Sequence, residues 1–271
     1  MLRTEVIEGR SGRLLTVVHA PDGPPPVRSI VVIPPFAEEM NKARRMVTLF
    51  AEAAAKRGME TVVPDLTGTG DSDGEFEDAR WNLWCDDVER VVSAAKHRAK
   101  GTPALLAIRS GALLASAVLE RNSQACRDLL LWSPVTEGER FMKQFLRLRM
   151  AASLTQTTRE TVADLESALR AGSQLEVGGY ALASQLWAAI NTCRFALPPP
   201  SEGGQVFWFD VLGAAPYELA PASQRSVAAL SSAGWQVHAR ALAGAAFWAT
   251  AEITEVPKLI AASVEALAPQ P

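Results

Sequence analysis

The chain has 271 residues, 48% of them hydrophobic, and a formal net charge of −3, enough for one large α/β domain, or one domain with a lid, around a sizeable core. The weak negative charge and the lack of a basic run point away from nucleic acid and anionic membrane surfaces, and leave small neutral or anionic molecules as ligands. Three dispersed cysteines without a C-x-x-C pair speak against a disulfide framework or a zinc site, and no apolar run reaches the roughly 18 residues of a membrane span.

Without an apolar signal-peptide core near Met1, the sequence reads as cytoplasmic, with buried free thiols. Glu5 to Glu8 and Arg13 to His19 read as an antiparallel pair on the edge of a sheet. A Gly/Pro loop over Asp22 to Pro26 leads to Ser29 to Ile33, a β-branched run of the kind buried on both faces, stopped by Pro34 and Pro35. Arg44 to Arg57 has helical spacing and ends at Gly58; Glu60 to Val63 is another buried strand. Strand, helix and strand in that order imply a right-handed crossover and a parallel sheet.

A glycine-rich loop, Asp65 to Ser72, precedes a helix over Arg80 to His97. The strand Ala104 to Ile108 then runs into the helix Ala112 to Leu119, and Asp128 to Trp132 supplies the next strand. From Pro134 to Pro200 the pattern turns helical, with segments expected at Phe141 to Ala151, Thr158 to Ala171 and Ala181 to Cys193. After it come a strand (Gln205 to Val211), a helix (Ser223 to Ala233), a strand (Trp235 to Leu242), a helix (Glu255 to Leu267) and a frayed tail, Ala268 to Pro271. The expected organisation is a core over 1–133 and 201–271 interrupted by a helical lid over 134–200.

Between Ile108 and Ala112 the strand passes to the helix with almost no turn, the layout of the nucleophile elbow of α/β-hydrolases, normally G-x-S-x-G. Two registers fit. With Ser110 at the apex, the flanking small positions become Ile108 and Ala112, and a β-branched residue falls where the sharp turn leaves no room. With Arg109 at the apex they become Ala107 and Gly111, both small, so the backbone favours a register that places a permanent cation where the nucleophile belongs.

Ligands of open parallel sheets sit at the carboxyl ends of the strands. After the third strand, Pro34 to Lys42 would carry one oxyanion-hole N–H; Pro35 has none, so Phe36 or Ala37 would serve. The Asp65 to Ser72 loop reads as turn scaffold, since its glycines permit positive φ and its aspartates cap turns. A serine hydrolase also needs a carboxylate after the strand that follows the lid and a histidine after the last strand. The first place offers alanines, with Asp210 early and Glu218 late; the second offers Phe247 and Trp248 with no histidine before them. His19, His97 and His238 all fall elsewhere, leaving Ser110 without a base.

Four segments, Pro34 to Met46, Asp65 to Trp81, Ala107 to Ala115 and Ala243 to Pro257, resemble the exosortase A system-associated hydrolase 2 family, a branch of the α/β-hydrolases linked to exosortase and exopolysaccharide genes. The resemblance spans nearly the whole chain and implies an α/β-hydrolase fold: a mostly parallel central sheet flanked by helices. It implies hydrolase activity without showing how hydrolysis would occur, and this chain departs from the family in carrying Ala107 where glycine is usual.

Two readings stay open. One is an enzyme, a hydrolase, thioesterase or acyltransferase using Ser110 or a carboxylate such as Glu38, Glu39 or Asp210. The other, favoured by the replaced triad positions, is a binding protein that kept fold and pocket. In the second, Arg109 faces the positive end of a helix dipole and calls for an anion. That anion is either internal, from Glu38, Glu39 or Asp210, or a carboxylate or phosphate of a ligand. The expected ligand-contacting set is Phe36, Ala37, Glu38, Glu39, Arg109, Ser110, Asp210, Phe247 and Trp248. No metal and no cofactor are called for, and a homodimer is the assembly considered.

Overall fold

The structure, a computed structural model, describes residues 1–99, 101–152, 160–200 and 203–268. The strands β1 (Leu2–Glu8), β2 (Arg13–His19), β3 (Arg28–Ile33), β4 (Met59–Pro64), β5 (Ala104–Ile108), β6 (Asp128–Trp132), β9 (Gln205–Leu212) and β10 (Gln236–Ala243) form one sheet. Their order is β1-β2-β4-β3-β5-β6-β9-β10. β1 and β2 pair antiparallel, β2 meets β4 antiparallel, and the remaining pairs are parallel. This is the mostly parallel sheet that the strand–helix alternation predicts, in the α/β-hydrolase architecture that the family resemblance implies.

The sheet is central because its middle strands are apolar on both faces. All five residues of β5 are buried, and successive side chains enter different cores. Leu105 and Ala107 join the core with Val88, Val91 and Leu113, from α2 (Trp81–Lys96) and α3 (Gly111–Arg121). Leu106 and Ile108 join the opposite core with Met46, Phe50 and Leu259, from α1 (Glu38–Ala55) and α8 (Pro257–Leu267). Alternation along a strand, with helices on both faces, produces this two-sided packing.

α1 begins at Glu38, six residues before the periodicity suggests. Glu38 to Lys42, expected in a strand-end loop, therefore occupy its first turns, where acidic side chains suit the positive end of the helix dipole. α7 spans Pro221–Ser232.

Between β6 and β9 the chain forms α4 (Gly138–Ala152), α5 (Val162–Arg170), α6 (Ser184–Thr192) and a separate hairpin of β7 (Leu175–Val177) and β8 (Tyr180–Leu182). The hairpin takes the place of the first turn expected for a helix over Ala181 to Cys193. Gly178 and Gly179, at φ 59° and 85°, make the tight turn; two consecutive positive φ values are what a two-residue hairpin loop needs. α5 starts with a reciprocal cap, Thr161 N donating to Asp164 Oδ2 at 2.9 Å and Asp164 N to Thr161 Oγ1 at 3.2 Å. Thr158 and Arg159, where that helix was expected to begin, lie outside the described residues, as do the last three of the tail.

Candidate functional site

The elbow joins β5 to α3. Arg109 sits at its apex with φ 53°, a left-handed backbone that costs an L-residue about 1–2 kcal/mol. The small flanking residue at Gly111 is required by space: a Cβ there would stand 2.4 Å from the Ile33 carbonyl oxygen and 2.9 Å from that of Pro34. Ala107, at the other flank, is fully buried. The register with Arg109 at the apex is thus the one the backbone adopts.

The Arg109 guanidinium is held internally. Its Nη1 donates to the Ser133 carbonyl at 2.9 Å, its Nε lies 3.4 Å from Glu39 Oε2 without hydrogen-bond geometry, and its Cζ stacks 4.6 Å from the Trp248 ring centroid. Among the three internal anions considered, the partner is Glu39. Burial pushes the Glu39 carboxyl above its usual range, and the adjacent Arg109 charge opposes that shift. Ser133 is itself tied down, its Oγ accepting from Val211 N at 2.9 Å, and it too has positive φ, at 42°.

Ser110, next in the chain, faces a different space. A cavity of about 210 Å³ lies between the elbow, the loop after β3, the glycine-rich loop and the segment that joins β6 to β9. Ser110 and Gly111 line it from the start of α3, with Phe36, Trp84, Phe76 and Tyr180 supplying aromatic walls. The rings meet edge to face, Phe36 against Phe76 at 5.4 Å and against Trp84 at 5.9 Å, a geometry aromatic quadrupoles prefer. Phe36 N, one of the two candidate oxyanion donors, donates to Ser110 Oγ at 3.0 Å. The neighbouring Ala37 is strained, at φ 53° and ψ −129° as the N-cap of α1.

The candidate residues therefore separate into groups. Phe36, Ala37 and Ser110 share the aromatic cavity. Arg109, Glu39 and Trp248 form a second group behind it, with Phe247 packed on Trp248 at 4.9 Å. Glu38 does not line the aromatic cavity but is tied to its rim, its carboxylate accepting from the Asn41 side-chain amide at 3.2 Å and from the Tyr180 hydroxyl at 3.5 Å, both cavity residues. Asp210 stays buried within β9 and accepts the Trp208 indole N–H at 2.9 Å, and Glu218 is exposed. None of the histidines lines the cavity: His19 is in β2, His97 follows α2, and His238 in β10 stacks on Phe207 at 5.2 Å.

The glycine-rich loop is a bonded scaffold. Asp65 accepts from Asp71 N at 3.0 Å and pairs with Arg44 at 3.1 Å, and Ser72 Oγ donates to the Asp65 carbonyl at 2.6 Å. Thr67 N donates to the buried Asp87 carboxylate at 2.9 Å, and Trp84 Nε1 to the Thr67 carbonyl at 2.9 Å. Pocket residues missed from the sequence include Trp81, Trp84, Phe76, Tyr180 and Ile190. The spacing of Trp81 and Trp84 on α2 is a signal, but one that ordinary core packing produces as readily. Among the described residues no group of His, Cys, Asp or Glu has the arrangement of a metal site, and no helix is long and apolar enough to cross a membrane.

Solved structures share the architecture at low sequence identity. Est1E from Butyrivibrio proteoclasticus with ferulic acid bound is 17% identical over 96% of both chains, with a TM-score of 0.67. An alpha-beta serine hydrolase homologue from Coxiella burnetii is 15% identical over 98% of this chain and 97% of its own, at 0.55. Epoxide Hydrolase A from Mycobacterium thermoresistibile is 14% identical over 98% of both, at 0.57. Likeness at this identity establishes fold alone. No curated protein matches the sequence significantly. The profile of the Hydrolase_4 family, described as serine aminopeptidase, S33, matches residues 24–175, more than half of the chain, and with the elbow and the strand order it makes this protein a member of that α/β-hydrolase family.

Proposed function

We propose that this protein binds a small molecule in the aromatic cavity under a helical lid formed by its insertion, and that it does so without acyl-transfer chemistry. The observation that carries the reading is the position of Ser110. Its hydroxyl accepts the Phe36 N–H that a hydrolase would offer to an oxyanion, and no histidine shares its cavity. A serine with no base stays a hydroxyl at neutral pH and a poor nucleophile. The apex that should present the nucleophile carries Arg109 instead, its charge engaged by Glu39 and Trp248. The cavity walls suit an apolar or aromatic ligand portion oriented by a few polar groups, the usual composition of small-molecule sites.

Two further parts of the reading rest on sequence. The four motif segments support an exosortase-associated, exopolysaccharide-linked role, and the formal charge of Arg109 supports an anionic ligand at the elbow, outside the aromatic cavity, which Arg109 does not line. Catalysis by Ser110 is the second reading, favoured by its exposure to the cavity and by the family. One experiment separates the two. The purified protein is treated with a fluorophosphonate and with short p-nitrophenyl esters, and tryptophan emission is followed during titration with ferulic acid, the ligand recorded in Est1E. The binding reading expects saturable quenching through Trp81 and Trp84, with neither ester turnover nor labelling. Stoichiometric labelling at Ser110 would establish the enzyme and overturn it.

A further inference from the structure

Another cavity, of about 250 Å³, reaches the elbow at Arg109 and shares no lining residue with the aromatic one. It is lined by Arg109 from the apex, by Thr136, Glu137, Arg140 and Gln144 from the start of the insertion, and by Arg225 from α7. The placement follows from helix geometry. Arg140 and Gln144 are four apart on α4, and Ala222 and Arg225 three apart on α7, so each pair shares one face.

The charge at this cavity is unbalanced. Three guanidiniums and one carboxylate, that of Glu137, line it, and a second carboxylate, Glu39, lies outside the lining 3.4 Å from Arg109 Nε, so two carboxylates stand against three cations. Neither Arg140 nor Arg225 has a carboxylate within ion-pair distance or a side-chain hydrogen bond among the described residues, in contrast to Arg149 on the same α4, which pairs with Glu160 at 2.8 Å. Arg109 Nη1 is bound to the Ser133 carbonyl and Nε is buried, while Nη2 carries no hydrogen bond and remains accessible. The Thr136 hydroxyl and Gln144 amide are neutral donors without partners in the same wall. Ala222 brings in the first turn of α7, whose N–H groups have no intrahelical acceptors.

Three guanidiniums converging on one space, two of them unpaired and Arg109 shared with Glu39, repel each other and are stabilised together by a multiply charged oxyanion, to which each can give charge-assisted hydrogen bonds. We propose that this cavity binds the phosphoryl group of a small phosphomonoester, with Arg109, Arg140 and Arg225 as its cationic ligands and Thr136 and Gln144 as neutral donors. A phosphomonoester becomes a dianion above a pKa of about 6, so its binding strengthens as pH rises through that value. The site lies outside the proposed aromatic cavity, and each can fail without the other.

The test is calorimetric titration at constant ionic strength with phenyl phosphate, inorganic phosphate and acetate. It uses the wild type and the Arg140→Gln/Arg225→Gln variant, whose two altered side chains are exposed and outside the core. The expected result is saturable phenyl phosphate binding, weakened at least tenfold in the variant and at least severalfold at about pH 5 relative to about pH 7.5. The variant keeps the wild-type unfolding temperature and the wild-type response to ferulic acid. Binding of inorganic phosphate as tight as phenyl phosphate would assign the site to the free ion and overturn the ester. No saturable binding, equal binding of acetate, or full affinity in the variant would overturn the site itself.

Discussion

Replacing Arg109 by glycine separates the backbone role of the elbow apex from its charge. Glycine takes the left-handed φ freely and recovers about 1 kcal/mol of strain. Against that, the variant loses the hydrogen bond to the Ser133 carbonyl, the stacking on Trp248 and the partner of Glu39. Breaking a fully buried pair costs about 3–5 kcal/mol; with the two side chains 18% and 23% exposed, about 3 kcal/mol is the fitting figure. The net loss is about 2 kcal/mol, or roughly 4–8 °C in Tm for a chain of this size.

The loss depends on pH. Glu39 titrates above its ordinary value because burial disfavours its charged form. Its contribution to stability is therefore fully present below the unfolded pKa of about 4.3 and is lost as pH rises through the folded value. Without Arg109 the folded value rises further, so the variant is hurt more at about pH 8 than at about pH 5. Urea denaturation of wild type, Arg109→Gly, Glu39→Gln and the double variant at both pH values completes the cycle. Equal destabilisation at the two pH values, or no recovery when Glu39→Gln is added to Arg109→Gly, would refute the pairing.

Gly111→Ala places a Cβ against the backbone oxygens of Ile33 and Pro34, which only a shift of strand or helix can relieve; a loss of about 1–3 kcal/mol is expected, and an unchanged urea midpoint would show that the elbow is looser than its geometry states. The thiols should be inert in the native state, since burial pushes Cys85 up to about 12 and Cys193 to about 11, and holds Cys126 well above the usual thiol range. Iodoacetamide near pH 8 is expected to spare the folded protein and to alkylate all three after denaturation, because the thiolate is the reacting species; rapid native-state labelling of Cys85 would contradict its burial.

Much of this architecture is legible in the sequence, because the central strands are continuous apolar runs and the turns between them carry glycine or proline. Ala104 to Ile108 is an apolar run of strand length closed by Ser110-Gly111, and small residues at Ala107 and Gly111 already favour Arg109 at the apex. The glycine-rich loop is likewise readable as scaffold from its residue types. The early start of α1 was hidden because Glu38 to Lys42 bury only Met40 among them, so hydrophobic periodicity is blind to that turn. The β7–β8 hairpin escaped because three-residue strands are too short to show alternation, and its Gly178-Gly179 signal sits inside an otherwise helical stretch.

What the tertiary structure alone decided is who meets whom at the elbow. Local sequence names Glu38, Glu39 and Asp210 as equal candidates to face Arg109; the angle at which α1 leaves Ala37 turns Glu39 toward the guanidinium, while Glu38 reaches Asn41 and Asp210 turns to Trp208. The same holds for the two cavities. Phe76, Trp84 and Tyr180 come from three separate elements, as do Arg109, Arg140 and Arg225. Local propensity fixes each element and its apolar face, whereas such convergence depends on crossover lengths and packing angles that no local pattern encodes.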